Sequence, residues 1–339
     1  MKKWVKVVLP IVFIIVLIVV AADFMSDKNK LYEKNSTAMG TVINQKIYGK
    51  DAEKSAQEIN DMLTDLDCNV FSSKVKSSLT YKLNGNKILE TDNEDFLNLT
   101  NMSLDFSKNC NGAYDITMGE LSLMWGIGTE KERIPSEKEI NTALKNVGYE
   151  KITVDNSLIK IGENQIVDFG ASAKGYGADK AKEILQKNNI KKATVSVGGS
   201  ILVYGASEKE PFKIGIKNPF EKETKIIATL ELFDCFVSTS GNYERYFEKD
   251  GVRYHHILDS KTGYPAKSEF ASVTVVANNG ALSDMLSTAC YILDFQSSLK
   301  LLEKYDAQAV FIFNDGSIKI TNGLRDKFHS DEKDFETVK

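Results

Sequence analysis

The stretch Ile166-Val167-Asp168-Phe169-Gly170-Ala171-Ser172-Ala173-Lys174-Gly175-Tyr176-Gly177 reads as a strand that runs into a turn of small residues and then into the start of a helix. Such a turn leaves main-chain N–H groups uncovered at the positive end of a helix dipole, where a phosphate can be cradled, and Lys174 adds a point charge. The stretch fits neither GxxxxGK[ST] nor GxGxxG, which argues against a P-loop and against a Rossmann dinucleotide site. Taken alone, a tight strand-to-helix connection is the simpler explanation.

Strand and helix signals alternate on both sides of it. Upstream, residues 42–48 have strand patterning, 51–66 place Ala56, Ile59, Met62 and Leu63 at helical spacing, 94–110 read as a helix, and 151–154 with 158–161 as a hairpin. Downstream, 179–187 read as a helix, followed by strands at 193–197, 212–216, 225–232, 272–276, 309–313 and 318–321. No repeat, proline-rich tract or long charge run divides the chain. The fold class is therefore α+β, with one domain over residues 37–339 behind a polar linker at 26–36.

The 339 residues are 42% hydrophobic and 27% charged, which excludes a collagen-like or wholly disordered chain. Lys and Arg number 43 against 47 Asp and Glu, a net charge of −4, so no basic excess exists for general nucleic-acid binding. Cys68, Cys110, Cys235 and Cys290 are too dispersed for a CxxC redox or zinc pair and read as free thiols.

At the N-terminus, Lys2, Lys3 and Lys6 precede an uncharged apolar run over residues 7–22. Residues 1–25 read as a signal anchor or transmembrane segment, with positive charge inside and the domain extracytoplasmic at the cell membrane. Val20-Ala21-Ala22 also has the small-residue character of a signal-peptide cleavage site.

Asp284 and Thr288 stand four residues apart and share one face of a helix, presenting two hard oxygens of the kind Mg²⁺ takes. A helix cap and a back-bonded threonine are the ordinary alternative. His255 and His256 lead into a turn, Asp259-Ser260-Lys261-Thr262-Gly263-Tyr264-Pro265, where a histidine can serve as general acid or base near neutral pH or simply lie at the surface.

In their order, the motifs resemble the ApbE-like FAD:protein FMN transferases, or flavin transferases. The resemblance spans Ala38-Met39-Gly40-Thr41, Gly112 to Gly119, Trp125 to Gly128, Asp168 to Gly177, Val197-Gly198-Gly199, Ser238 to Arg245, His256 to Pro265 and Ser283 to Thr288. It implies a mixed α/β domain of the ApbE, T-fold-like type. By the resemblance, Met39, Ala113, Tyr114, Asp115, Asp168, Lys174 and Ile257 contact FAD. Mg²⁺ would sit among the Ala171 carbonyl, the Asp284 carboxylate, Thr288 and the Ser287 main chain, and His256 would assist transfer. The implied reaction attaches FMN through a phosphoester to a Thr or Ser of an acceptor flavoprotein and releases AMP. An FAD pyrophosphatase and a flavin-binding surface protein without turnover are the alternatives. The chain departs from the family at Asn242, where Asp is frequent, at Ser260, where Pro is frequent, and at Lys74, which replaces an aromatic residue in Phe71 to Ser78.

Overall fold

The computed structural model describes residues 30–221, 225–330 and 334–338. The anchor expected over residues 1–25 lies outside the described residues, among which no helix is long and apolar enough to cross a membrane.

Leu31–Ala38 (β1) and Thr41–Tyr48 (β2) form a hairpin whose two connecting residues, Met39 and Gly40, both take positive φ (53° and 66°), as a type I′ turn requires. β1 corrects the expectation of a linker reaching residue 36. Its polar sequence carries no apolar stripe because an edge strand is held by its ladder and keeps one face wet. Ala52–Asp65 (α1) buries Ala56, Ile59 and Leu63 as the spacing predicts, then loosens into a π-helical stretch, Leu66–Phe71.

Leu79–Asn86 (α2), Ile88–Glu90 (β3), Glu94–Asn109 (α3), Gly119–Trp125 (α4), Glu137–Leu144 (α5), Thr153–Asp155 (β4) and Leu158–Lys160 (β5) follow. The strand expected before the small-residue turn is reduced to one bridge between Ile166 and Met118, a close approach that needs Gly119, where a Cβ would lie 2.6 Å from the Ile166 oxygen. Ala173–Lys187 (α6) starts six residues before the predicted position 179. Gly175 and Gly177 hid that start, being weak helix formers. Packing selects them: a Cβ would lie 2.1 Å from the Gly280 oxygen at the first and 2.6 Å from Leu63 Cδ2 at the second.

The second half supplies Lys192–Val197 (β6), Ser200–Tyr204 (β7), Phe212–Lys217 (β8), Ile226–Leu232 (β9), Cys235–Gly241 (β10), Tyr246–Lys249 (β11), Val252–His255 (β12) and Phe270–Ala277 (β13). Gly280–Ile292 (α7), Phe295–Lys304 (α8), Gln308–Phe313 (β14), Ile318–Thr321 (β15), Phe328–His329 (β16) and Phe335–Val338 (β17) complete it. Nine strands form one sheet in the order β1-β2-β6-β7-β10-β13-β14-β15-β17, antiparallel except for the last pair. Helices α1 and α6 bury one apolar cluster with Ile43, Ile47, Val195 and Leu202. Helices α3, α7 and α8 share a larger cluster with Val273, Val275 and Phe311. The β16-β9-β8 sheet covers Val203, Val237, Val310 and Ile312. Strand β13 lies between these layers, which explains its nearly unbroken apolar sequence. The four cysteines are free thiols, three of them buried.

Candidate active site

The site forms where the first turns of α6 and α7 meet the end of β10 and the loop after β12. The N-cap of α6, Ser172, makes no side-chain capping bond, so the orphan N–H groups of the first turn seek other partners. One is found across the interface, where Gly175 N–H donates to Asp284 Oδ2 at 3.2 Å. Lys174 Nζ reaches the same oxygen at 3.3 Å and donates to the Gly170 carbonyl at 2.6 Å. Asp284 is only 6% exposed, and a carboxylate so buried persists as an anion only with such partners. The approach needs glycine at 175, where a Cβ would also lie 2.9 Å from the Asp284 Cβ.

Along α7, Ser287 and Thr288 turn toward Ser240 of β10, whose hydroxyl lies 2.9 Å from Ser287 Oγ and 3.4 Å from Thr288 Oγ1. The predicted i,i+4 face of Asp284 and Thr288 thus forms on one helix. Ser287 Oγ donates to the Asp284 carbonyl at 2.9 Å, which engages its side chain within the helix. Ala171 sits in the turn just before α6. Among the described residues no group of three or more His, Cys, Asp or Glu side chains forms a metal cluster; the oxygens gathered here come from one acid, hydroxyls and main chain.

His256 follows β12 directly. Its Nδ1 lies 3.3 Å from the Arg245 carbonyl, and its main-chain N–H donates to the same oxygen at 3.1 Å. A carbonyl only accepts, so Nδ1 carries the proton and Nε2 keeps its lone pair. The ring is reachable by solvent yet closely surrounded by protein. That surrounding desolvates it, and with the charges of Arg245, His255 and Lys174 it holds the pKa down to about 4, leaving neutral imidazole at pH 7. The turn beyond is rigid: Asp259 Oδ1 accepts from Lys261 N–H, Trp125 Nε1 donates to the Gly263 carbonyl, and Ser260 Oγ donates to the Gly112 carbonyl. Ser260 thereby ties the histidine loop to the 112–115 segment.

His255, which the sequence left beside the matched motif, is buried. Its Nε2 lies 3.1 Å from the Ala266 carbonyl, its ring meets Tyr291 edge-on, and burial lowers its pKa to about 4.

The expected FAD-contacting residues divide. Met39 occupies the β1–β2 turn, its N–H donating to Asp67 Oδ2, and Arg245 Nη2 bridges from the histidine loop to Gly40 O at 3.4 Å. Asp168 Oδ1 accepts from Gly170 N–H, while Ser73 Oγ donates to Oδ2. The Lys74 segment is therefore docked through Ser73, with Lys74 itself exposed. Ala113 and Ile257 are buried. The Tyr114 side chain is interior: its hydroxyl donates to Ser172 Oγ at 2.8 Å and lies 3.0 Å from Ser103 Oγ, and burial raises its pKa. Asp115 has both oxygens engaged, Oδ1 by Thr117 and Oδ2 by Tyr149 N–H, with its pKa raised by burial. Tyr114 and Asp115 thus brace the neighbouring turns with their side chains.

The ApbE family profile matches residues 39–312, an interval that contains every residue of this site. The chain belongs to the ApbE family. A FAD:protein FMN transferase of Treponema pallidum is 29% identical over 87% of this ApbE-family chain and 88% of its own, and one of Haemophilus influenzae is 31% identical over 92% and 93%. The crystal structure of the ApbE protein of Thermotoga maritima superimposes with a TM-score of 0.81 at 32% identity, covering 87% of this chain and 98% of that one. The apo flavinyl transferase ApbE of Pseudomonas stutzeri gives 0.77 at 26%, covering 88% and 97%.

Sequence reasoning on this ApbE-family chain missed Ser240, Tyr114's bracing role and the burial of His255. Each acts across a long sequence interval, and a hydroxyl inside a strand or helix carries no periodic signal of its partner.

Proposed function

We propose that this chain is an FAD:protein FMN transferase that moves FMN from FAD onto a Thr or Ser hydroxyl of a partner flavoprotein, forming a phosphoester and releasing AMP, with Mg²⁺ required. The observation that carries the reading is the His256 ring, with Nδ1–H held by Arg245 and Nε2 left as a base, in the electrostatic reach of Lys174 at the α6 turn. The relatives named FAD:protein FMN transferases support the donor and the class of acceptor.

In this reading His256 Nε2 takes the acceptor hydroxyl proton. The hydroxyl oxygen bonds to the FMN phosphorus, the bond from that phosphorus to the bridging oxygen breaks, and AMP leaves with that oxygen and its electron pair. Lys174, at the start of α6, orients the diphosphate with its charge, while the N–H groups of Gly170, Ser172 and Ala173 are engaged within the turn and hold its shape. Asp284, Thr288 and the main chain of Ser287 and Ala171 would hold Mg²⁺. The donor set suits a hard cation, being all oxygen with one buried anion. Bound there, Mg²⁺ supplies charge neutralisation to the diphosphate as it breaks.

Residues 1–25 are proposed to anchor the domain outside the cytoplasmic membrane, supported by the three lysines that precede the apolar run. Flavin fluorescence that persists on a denatured acceptor protein after incubation with FAD and Mg²⁺ tests the transferase reading; an acceptor left dark under those conditions contradicts it.

A further inference from the structure

Helices α6 and α7 cap one another. Asp284 of α7 accepts from Gly175 N–H in the first turn of α6. In return Asp179 of α6 accepts from the first two N–H groups of α7, Gly280 at 2.7 Å to Oδ1 and Ala281 at 2.8 Å to Oδ2. Between the two carboxylates the helices meet backbone to backbone: a Cβ on Gly280 would lie 2.2 Å from the Gly175 oxygen. Neither helix can turn or slide without breaking one of these bonds. The α7 N-cap, Asn279, already accepts from Leu282 N–H, so Asp179 is not needed merely to supply a cap where none exists.

We propose that Asp179 is a positioning residue for the cation site: by clamping the first turn of α7 to α6 it fixes where the Asp284 carboxylate and Thr288 hydroxyl stand relative to Lys174 and the phosphate turn. The inference rests on the Mg²⁺-dependent reading above. A side chain that orients ligands from behind commonly changes metal affinity by about 10–100-fold when removed, without contacting the metal. Burial holds the Asp179 pKa up at about 6, so the charged form is the one strained by its surroundings and stabilised by the two N–H bonds.

The test uses the full chain and Asp179→Asn, which keeps the side-chain volume and one acceptor oxygen but loses the second bond. Asp294→Ala, which removes the N-cap of α8 and breaks only bonds to Ser297, is the control for loss of stability alone. Mg²⁺ binding is read by titration calorimetry in the presence of FAD, FAD binding by flavin fluorescence without Mg²⁺, and stability by thermal melting. The expected result is Mg²⁺ binding weakened by about 10-fold or more in Asp179→Asn, FAD binding within about twofold of the parent, and parental Mg²⁺ affinity in Asp294→Ala. Unchanged Mg²⁺ affinity in Asp179→Asn, or an equal loss in both variants, overturns the inference. A parent that binds no Mg²⁺ overturns the reading it rests on and the inference with it, whereas parental binding unaltered by Asp179→Asn removes the inference alone.

Discussion

The Nδ1 of His256 lies 3.3 Å from the main-chain oxygen of Arg245, and this one contact fixes which ring nitrogen can act. With the proton held on that side, Nε2 is a base throughout the neutral range. His256→Ala is expected to leave FAD binding nearly intact and to slow FMN transfer by about 10² to 10⁴, the usual contribution of a positioned proton acceptor. Fluorescence titration of FAD beside a time course of covalent flavin checks the split; transfer at the parental rate would remove His256 from the mechanism.

The pH profile follows from the same ring. Because the His256 pKa is held near 4, this base becomes protonated only well below neutrality. Transfer should hold level from pH 7 down to about 5 and fall as His256 gains its proton near 4. A midpoint at the ordinary histidine value of 6.5 would show that the ring is more open than its surroundings imply.

The buried His255 ring is no inert neighbour of His256, and His255→Ala is expected to cost stability. Losing the Nε2 bond leaves the Ala266 carbonyl unpaired at roughly 1–3 kcal/mol, in addition to the cavity. His255→Gln, able to donate to the same carbonyl, should retain more of the stability. The folded state favours neutral His255, so the unfolded chain binds the extra proton between pH 6.5 and about 4. This contribution is complete above 6.5 and is lost as pH falls toward 4, by up to about 3 kcal/mol. Melting temperatures against pH for parent and His255→Gln should therefore converge on acidification; parallel curves would refute the assignment.

Asp284→Ala removes the sole carboxylate among the proposed ligands. Turnover should be lost at any attainable Mg²⁺ concentration, and Lys174 is left without its acidic partner. Activity assayed across a Mg²⁺ series decides it, since undiminished turnover at low Mg²⁺ is incompatible with this ligand.

Gly175→Ala should destabilise the fold toward the upper end of about 1–3 kcal/mol, because the new methyl group meets backbone that has no side-chain freedom to yield. Chemical denaturation of the variant measures this, and a parental midpoint would show that the two helices can part.

Much of this architecture was legible in the sequence because it repeats a physical period. Strands such as β2 and β13 and helices such as α1 and α3 announce themselves by which faces they bury. The i,i+4 pair of Asp284 and Thr288 was readable for the same reason. The edge strand β1 was not, since hydrogen bonds along its ladder leave no trace in side-chain polarity. The start of α6 was hidden by Gly175 and Gly177, whose presence records contact with helices far away in the chain. The pairing of Asp179 with Gly280 is of the same kind: an acid in a helix looks like a solvated residue until the partner helix is placed against it.

The most direct test of the transferase account is a product balance. The full chain is incubated with FAD, Mg²⁺ and an acceptor flavoprotein, and AMP, free FMN and acceptor-bound FMN are quantified together by chromatography and intact-protein mass. The account predicts AMP and acceptor-bound FMN in equal amounts, free FMN near zero, and both products formed about 10² to 10⁴ more slowly in His256→Ala. AMP accompanied by free FMN, with no flavin on the acceptor, would contradict it and identify a hydrolase.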